Sequence, residues 1–229
     1  MLQQKLKLGL LAQDTSYSLS PRIHRIAAHE LGIFSSYQGY SLELSDVAVF
    51  LESFKREGGH GLNVSNPYKK VVSKLIDPSV RAKPINTLLN QNNKWFGYST
   101  DGEGFYRALK RASYDEHSFS SFCFLGTGDV VESILDFIGP KLLNKPVYFL
   151  RRNDHHDALL KEIYPNSYFL SLTAGSLQDV IDKNKKTCLV QATSAPNQGE
   201  DLSYLALGLQ GFKGFFYDLI YGKTSFLYS

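Results

Sequence analysis

Five short apolar runs in the second half of the chain, SSFCFLG, KPVYFLRRN, SYFLSL, TCLVQATS and GFFYDLIY, limit the fold more than any other feature. Each has the length of a strand rather than a helix and is bounded by Gly, Pro, Asn or Ser. The stretches between them read as helices or loops, which is the strand-helix-strand rhythm of a parallel sheet. Just upstream, DGEGFYRALKRA reads as a helix, so a domain boundary is expected near Glu103.

The first half has its own units. KLGLLAQ reads as a strand, and SLSPRIHRIAAHELG follows as a helix, with Ser20 as N-cap, Pro21 at its first position and Gly32 as terminator. Ile23, Ile26, Ala27 and Leu31 fall at helical spacing on it. YQGYSLEL is a second strand, and LSDVAVFLESFKREGG a helix capped by Ser45 and stopped at Gly58 and Gly59. HGLNVSNPYKKVVSKL holds a short strand and then a helix expected from Pro67. INTLLNQNNKWFGYST gives two strand-like runs around Asn92 and Asn93, a hairpin.

With 229 residues and 43% hydrophobic content the chain can bury a sizeable core, and two small domains suit that length. The first is expected over 1–102, with 217–229 returning to it, and the second over 103–216. Net charge is +3, with Lys and Arg scattered among Asp and Glu, so no basic stripe points to nucleic acid. No run approaches about 18 apolar residues, and MLQQKLKLGLL is too short and lysine-bearing for a signal peptide. A cytoplasmic protein that does not enter membranes is expected. Cys123 and Cys188 each lie inside an apolar run and read as buried thiols rather than a disulfide. The histidines lack metal-ligand spacing, so no metal is expected, and His29, His60, His117, His155 and His156 fit exposed helix or loop positions.

FCFLGTGDVVES places Gly126 and Gly128 between a buried strand and an apolar helix, where backbone N–H groups and the helix dipole attract a pyrophosphate. The dinucleotide fingerprint is incomplete. Its third small position holds Val131, and Asp129 enters the first helical turn. A glycine pair of this kind fits plain turn chemistry as well as a nucleotide site. The next strand ends in Arg151 and Arg152, where an NAD-specific fold carries an acidic residue for the ribose; arginine there suits the 2′-phosphate of NADP. Two solvated arginines at a strand end are the plainer alternative.

Taken in order, SYSLSPRIH (16–24), GLNVSNPYK (61–69), INTLL (85–89), GYSTDGEG (97–104), LGTG (125–128), LRRN (150–153), QATS (191–194) and YDLIY (217–221) resemble the sequence blocks of the shikimate dehydrogenase family. The resemblance spans most of the chain. It implies an α/β enzyme, an N-terminal α/β substrate domain followed by a Rossmann-like NADP-binding domain, that interconverts 3-dehydroshikimate and shikimate with NADPH as a monomer or homodimer. It also implies roles. Ser18 and Ser20 hold the substrate carboxylate, and Asn63, Ser65 and Asn86 bind the substrate. Lys69 and Asp101 form the catalytic pair, and Tyr221 lies near the carboxylate. Gly126, Thr127, Gly128, Asp129, Arg151, Arg152 and Thr193 fall on the cofactor-binding blocks, and His24 on a structural histidine.

The chemistry agrees with these roles on its own terms. Hydride delivery to a ketone leaves an alkoxide that must gain a proton, so the site needs a donor beside the carbonyl oxygen and no metal; a lysine ammonium is such a donor. Lys70 is expected to be solvated. Three departures from the family pattern stand out. Asp129 replaces a glycine, and a carboxylate about 4 Å from a phosphate costs up to about 4 kcal/mol at an effective dielectric of 20. Gln191 and Ser99 stand where the family has asparagines, and C-terminal helices that contribute a glutamine to the site are not among these 229 residues. A catalytically weak relative that binds a shikimate-like or quinate-like ligand is therefore the alternative reading.

Overall fold

The computed structural model describes residues 5–16, 18–79 and 82–220. The chain divides between Thr100 and Asp101 into two units. In the first, strands β1 (Leu6–Ala12), β2 (Ser35–Ser41), β3 (Gly59–Val64), β4 (Thr87–Gln91) and β5 (Lys94–Tyr98) form one sheet in the order β2-β1-β3-β4-β5. The first three run parallel. Strands β4 and β5 close the sheet as an antiparallel hairpin, with Asn92 and Asn93 at φ 51° and 63°, the left-handed pair a tight hairpin demands.

Strand alternation decides what each face carries. Leu11, Leu62, Val64 and Leu88 pack on one face with Val47, Leu51 and Phe54 of helix α2 (Val47–Arg56) and Val72 of helix α3 (Lys69–Ile76). The register Leu8↔Tyr37, Leu10↔Asn63 and Asn63↔Thr87 puts Tyr37, Asn63 and Thr87 together on the opposite face.

Helix α1 (Ser20–Glu30) forms where its punctuation predicts, and Gly32 ends it at φ 63°. Its cap differs. Leu19 is the capping residue, without a side-chain bond, and Ser20 is already helical. The spacing of Ile23, Ile26 and Leu31 does not translate into burial: they are 59%, 54% and 70% exposed, because periodicity gathers residues on one face without supplying anything to cover it. Ser45 lies in a 3-10 turn, Leu44–Asp46, ahead of α2 rather than capping it. Helix α3 starts at Lys69, two residues after Pro67, because the Tyr68 N–H first closes a turn onto the Ser65 carbonyl at 3.0 Å.

The second unit is a parallel sheet of β6 (Ser121–Leu125), β7 (Val147–Arg151), β8 (Ser167–Ser171), β9 (Thr187–Gln191) and β10 (Phe215–Asp218), ordered β10-β9-β6-β7-β8. Tyr217 and Asp218 thus pair with β9. Its central strands β6 and β9 are buried on both faces, which is why their middle residues are continuously apolar. Phe122, Phe124, Phe149 and Val190 pack with α4 (Asp101–Arg111) and α5 (Asp129–Ile138) on one face. Cys123, Leu125, Leu150 and Leu189 pack with α7 (Ala174–Lys183) on the other, and α6 (Asp157–Ile163) contributes Leu160 to the first. A Cβ on Gly102 would lie 2.4 Å from the Ser133 carbonyl oxygen, so glycine there lets α4 lie directly on α5. Both cysteines are free and buried, and burial pushes both thiols above their ordinary range.

Candidate active site

In each unit one strand has a neighbour on both sides, reached by the chain in opposite directions: β1 between β2 and β3, and β6 between β7 and β9. Ligands of open parallel sheets bind beyond the carboxyl ends of such strands. The described members of both groups of sequence-predicted residues lie toward those ends.

In the first unit Ser18 and Ser20 follow β1 in one turn, the Ser18 Oγ accepting the Ser20 N–H at 3.2 Å. Asn63 stands near the end of β3, and the Ser65 N–H that follows is held by the Leu11 carbonyl at 2.9 Å. A run of hydrogen bonds connects these residues. The Tyr37 hydroxyl donates to Asn63 Oδ1 at 2.8 Å, and the Asn63 amide nitrogen to Thr87 Oγ1 at 3.5 Å. The Thr87 hydroxyl donates to Asn86 Oδ1 at 3.0 Å, and the Asn86 amide nitrogen to Thr100 Oγ1 at 2.9 Å. Burial pushes the Tyr37 pKa up to about 12, while a hydrogen bond from the Ser20 side chain works the other way, so the phenol stays a neutral donor at physiological pH. His24 stacks on the Tyr37 ring with centroids 4.3 Å apart.

Lys69 opens α3, and its carbonyl accepts the Ile85 N–H at 3.3 Å, one residue before Asn86. Lys69 and Lys70 are both half-buried, so the expected contrast in exposure is absent. Asn86 Oδ1 also takes the Thr100 N–H at 3.1 Å, and Asp101 is the next residue along the chain, at the start of α4. Tyr221 lies outside the described residues.

In the second unit the β6–α5 turn holds Gly126 at φ 106°, conformational space that suits glycine, with the Thr193 Cγ2 only 3.0 Å from where a Cβ would sit. Sequence-distant Gly126 and Thr193 are thus neighbours. Gln191 fixes the second of them: its Oε1 accepts the Thr193 N–H at 3.1 Å and its Nε2 donates to the Thr193 hydroxyl at 3.3 Å, so the longer amide has a structural role of its own. Gly128 caps α5 with nothing within 4 Å of a Cβ position, and Asp129 is the first helical residue. Open space beside Gly128 at a helix start fits the approach of a pyrophosphate.

Both arginines at the β7 end carry carboxylate partners. Asp157 holds Arg151 through Nε at 2.9 Å and Nη2 at 2.5 Å, and Glu200 meets Arg152 Nη1 at 2.5 Å. A 2′-phosphate reaching Arg152 meets a guanidinium already paired with Glu200. Two histidines read as peripheral are engaged instead. His156 Nδ1 lies 2.5 Å from the Thr127 carbonyl oxygen in the glycine loop, and His60 Nδ1 accepts the Lys7 N–H at 3.0 Å. Single histidines without a ligand pattern give no sequence signal for such bonds. The INT block already pairs Thr87 with Asn86, whereas Tyr37 was missed as a site residue because a strand tyrosine looks like core.

Residues 10–88 match the family model described as the shikimate dehydrogenase substrate binding domain. Across 95% of its length the chain is 27% identical to the shikimate dehydrogenase (NADP(+)) of Nitrosococcus oceani, covering 77% of that protein. It is 26% identical to the enzyme of the same name from Pelagibacter ubique, covering 95% of this chain and 81% of that one. The crystal structure of shikimate dehydrogenase 1 from Peptoclostridium difficile superposes with a TM-score of 0.78 at 26% identity, over 97% of this chain and 81% of that one. The chain is thus similar along most of its length to shikimate dehydrogenases, and residues 10–88 match that family's substrate binding domain. A shikimate dehydrogenase from Thermus thermophilus, solved with NADP(H) and shikimate, shares the fold at a TM-score of 0.74 and 22% identity, over 94% of this chain and 79% of that one. Among the described residues, no helix is long and apolar enough to cross a membrane.

Proposed function

We propose that the chain interconverts 3-dehydroshikimate and shikimate with NADPH and NADP, the oxidoreductase reaction that leads toward aromatic amino acids. The observation that carries this reading is the hydrogen-bonded run through Tyr37, Asn63, Thr87 and Asn86 to Thr100, which joins Asn63 and Asn86, two substrate residues of the family's motifs. Ser18 and Ser20 offer hydroxyl donors to a carboxylate, and Asn63, Ser65 and Asn86 offer amide and hydroxyl groups to ring hydroxyls. Hydride is given or taken at the nicotinamide of NADP when that cofactor is bound. Lys69 supplies the proton that the new alkoxide needs, or takes the hydroxyl proton in the reverse direction, with Asp101 as the second member of the catalytic pair that the motifs imply. The Gly126–Gly128 loop, Thr127 and Thr193 hold the cofactor, with Arg151 and Arg152 toward the 2′-phosphate and Asp129 working against its charge.

The test is to follow NADPH formation from shikimate plus NADP, then repeat it with quinate and with NAD. Turnover with the first pair and little with the others is the expected outcome. A second reading, a weak relative that keeps the ligand but not the rate, is favoured by Asp129 in the helix start and by carboxylates already on both arginines. Shikimate binding by calorimetry without turnover at high enzyme concentration selects it.

A further inference from the structure

Asn63 is only as useful as its orientation. A primary amide presents an acceptor on one side and two N–H donors on the other, and the two ends are nearly equal in size, so packing alone does not choose between them. Two neighbours choose here. The Tyr37 hydroxyl donates to Oδ1 at 2.8 Å, which turns the amide nitrogen toward Thr87. The phenol ring itself is held: His24 stacks on it at 4.3 Å with planes 18° apart. Tyr37 therefore joins His24 of α1 to Asn63 on β3 and gives the Asn63 acceptor its donor. From Tyr37 donors point the same way through Asn63 and Thr87 to Asn86 Oδ1, which also accepts from Thr100.

We propose that Tyr37 is a positioning residue of the substrate site, whose hydroxyl fixes the Asn63 amide so that its second N–H is presented to a hydroxyl oxygen of a polyhydroxylated ring carboxylate. This rests on the functional reading above. Without the hydroxyl, Oδ1 loses its donor, the amide is free to turn over, and an acceptor can face the ligand where a donor stood. An aromatic ring without the hydroxyl keeps the stacking on His24, so the defect concerns orientation and not packing.

Tyr37→Phe is expected to raise KM for shikimate about tenfold, the worth of one well-placed hydrogen bond, while kcat stays within about twofold. The KM for NADP and the urea midpoint stay at wild-type values. In an Asn63→Ala background the same change adds nothing, because the group it orients is gone. An unchanged shikimate KM in Tyr37→Phe, or effects that add independently in the double variant, overturns the proposal. A lowered urea midpoint with a matching loss in both KM values also overturns it, since that is the mark of a merely structural tyrosine. If the wild-type protein shows no turnover, the functional reading falls separately, and calorimetric titration of wild type and Tyr37→Phe with shikimate still decides: weaker binding in the variant upholds the orienting role, and equal binding or none in both ends it.

Discussion

Helix α5 of the second unit buries six of its ten residues, whereas α1 of the first buries none. The sheets they accompany are alike in one respect, a strand with neighbours on either side, and unlike in another. Strands β6 and β9 are buried at every position, while β2 is buried at none. The difference follows from what each unit presents to its ligand. A sheet that meets a cofactor only at its end, through a glycine turn, can cover both faces with apolar side chains. A sheet that carries the polar groups of Tyr37, Asn63 and Thr87 on one face cannot cover that face with apolar helices without stranding them. The first unit gives up core for chemistry.

This contrast can be broken at several points. If the chemistry belongs to the first unit, Lys69→Ala lowers turnover roughly a thousandfold while Lys70→Ala changes it by less than about threefold, read in steady-state assays. Equal losses mean that the reacting lysine has been misassigned. In the fully buried core of the second unit, Ile134→Ala should cost about 2–5 kcal/mol in urea unfolding. Ile23→Ala on α1, 59% exposed, should stay within about 0.5 kcal/mol. A large cost at Ile23 shows that something covers α1 in solution and removes the contrast.

Smaller effects sharpen the cofactor side. Gly126→Ala puts a Cβ 3.0 Å from Thr193 Cγ2 at φ 106°, so about 1–3 kcal/mol of stability should be lost, together with NADP affinity by calorimetry. Retained affinity means that the turn does not shape the cofactor loop. Glu200→Gln frees Arg152 from an exposed ion pair, and the NADP dissociation constant should fall by up to about fivefold with NAD unaffected. Equal gains for both cofactors place the effect away from the 2′-phosphate.

Much of this was legible beforehand where local chemistry decides the outcome. The Asn92–Asn93 hairpin, the stop at Gly32 and the strands from Phe122 onward follow from turn residues and short apolar runs. The boundaries of α2 and α3 were not, because Ser45 and Pro67 are compatible with a helix start and hydrogen bonds a few residues away moved it. The motif residues Ser18, Ser20, Asn63 and Asn86 were readable as a set from family blocks, but nothing in their spacing says that Tyr37 and Thr87 connect them.

The sequence by itself determined the two α/β units, the order of their elements and the residue types brought to each strand end, because periodicity, turn chemistry and motifs act over a few residues. Only the tertiary structure decided that Tyr37 orients Asn63, that Gln191 holds Thr193 against Gly126, and that Asp157 and Glu200 already occupy the two arginines. Those pairings join residues on different elements, mostly distant along the chain. Their partners are fixed by strand order and register, which emerge only when the whole sheet has formed.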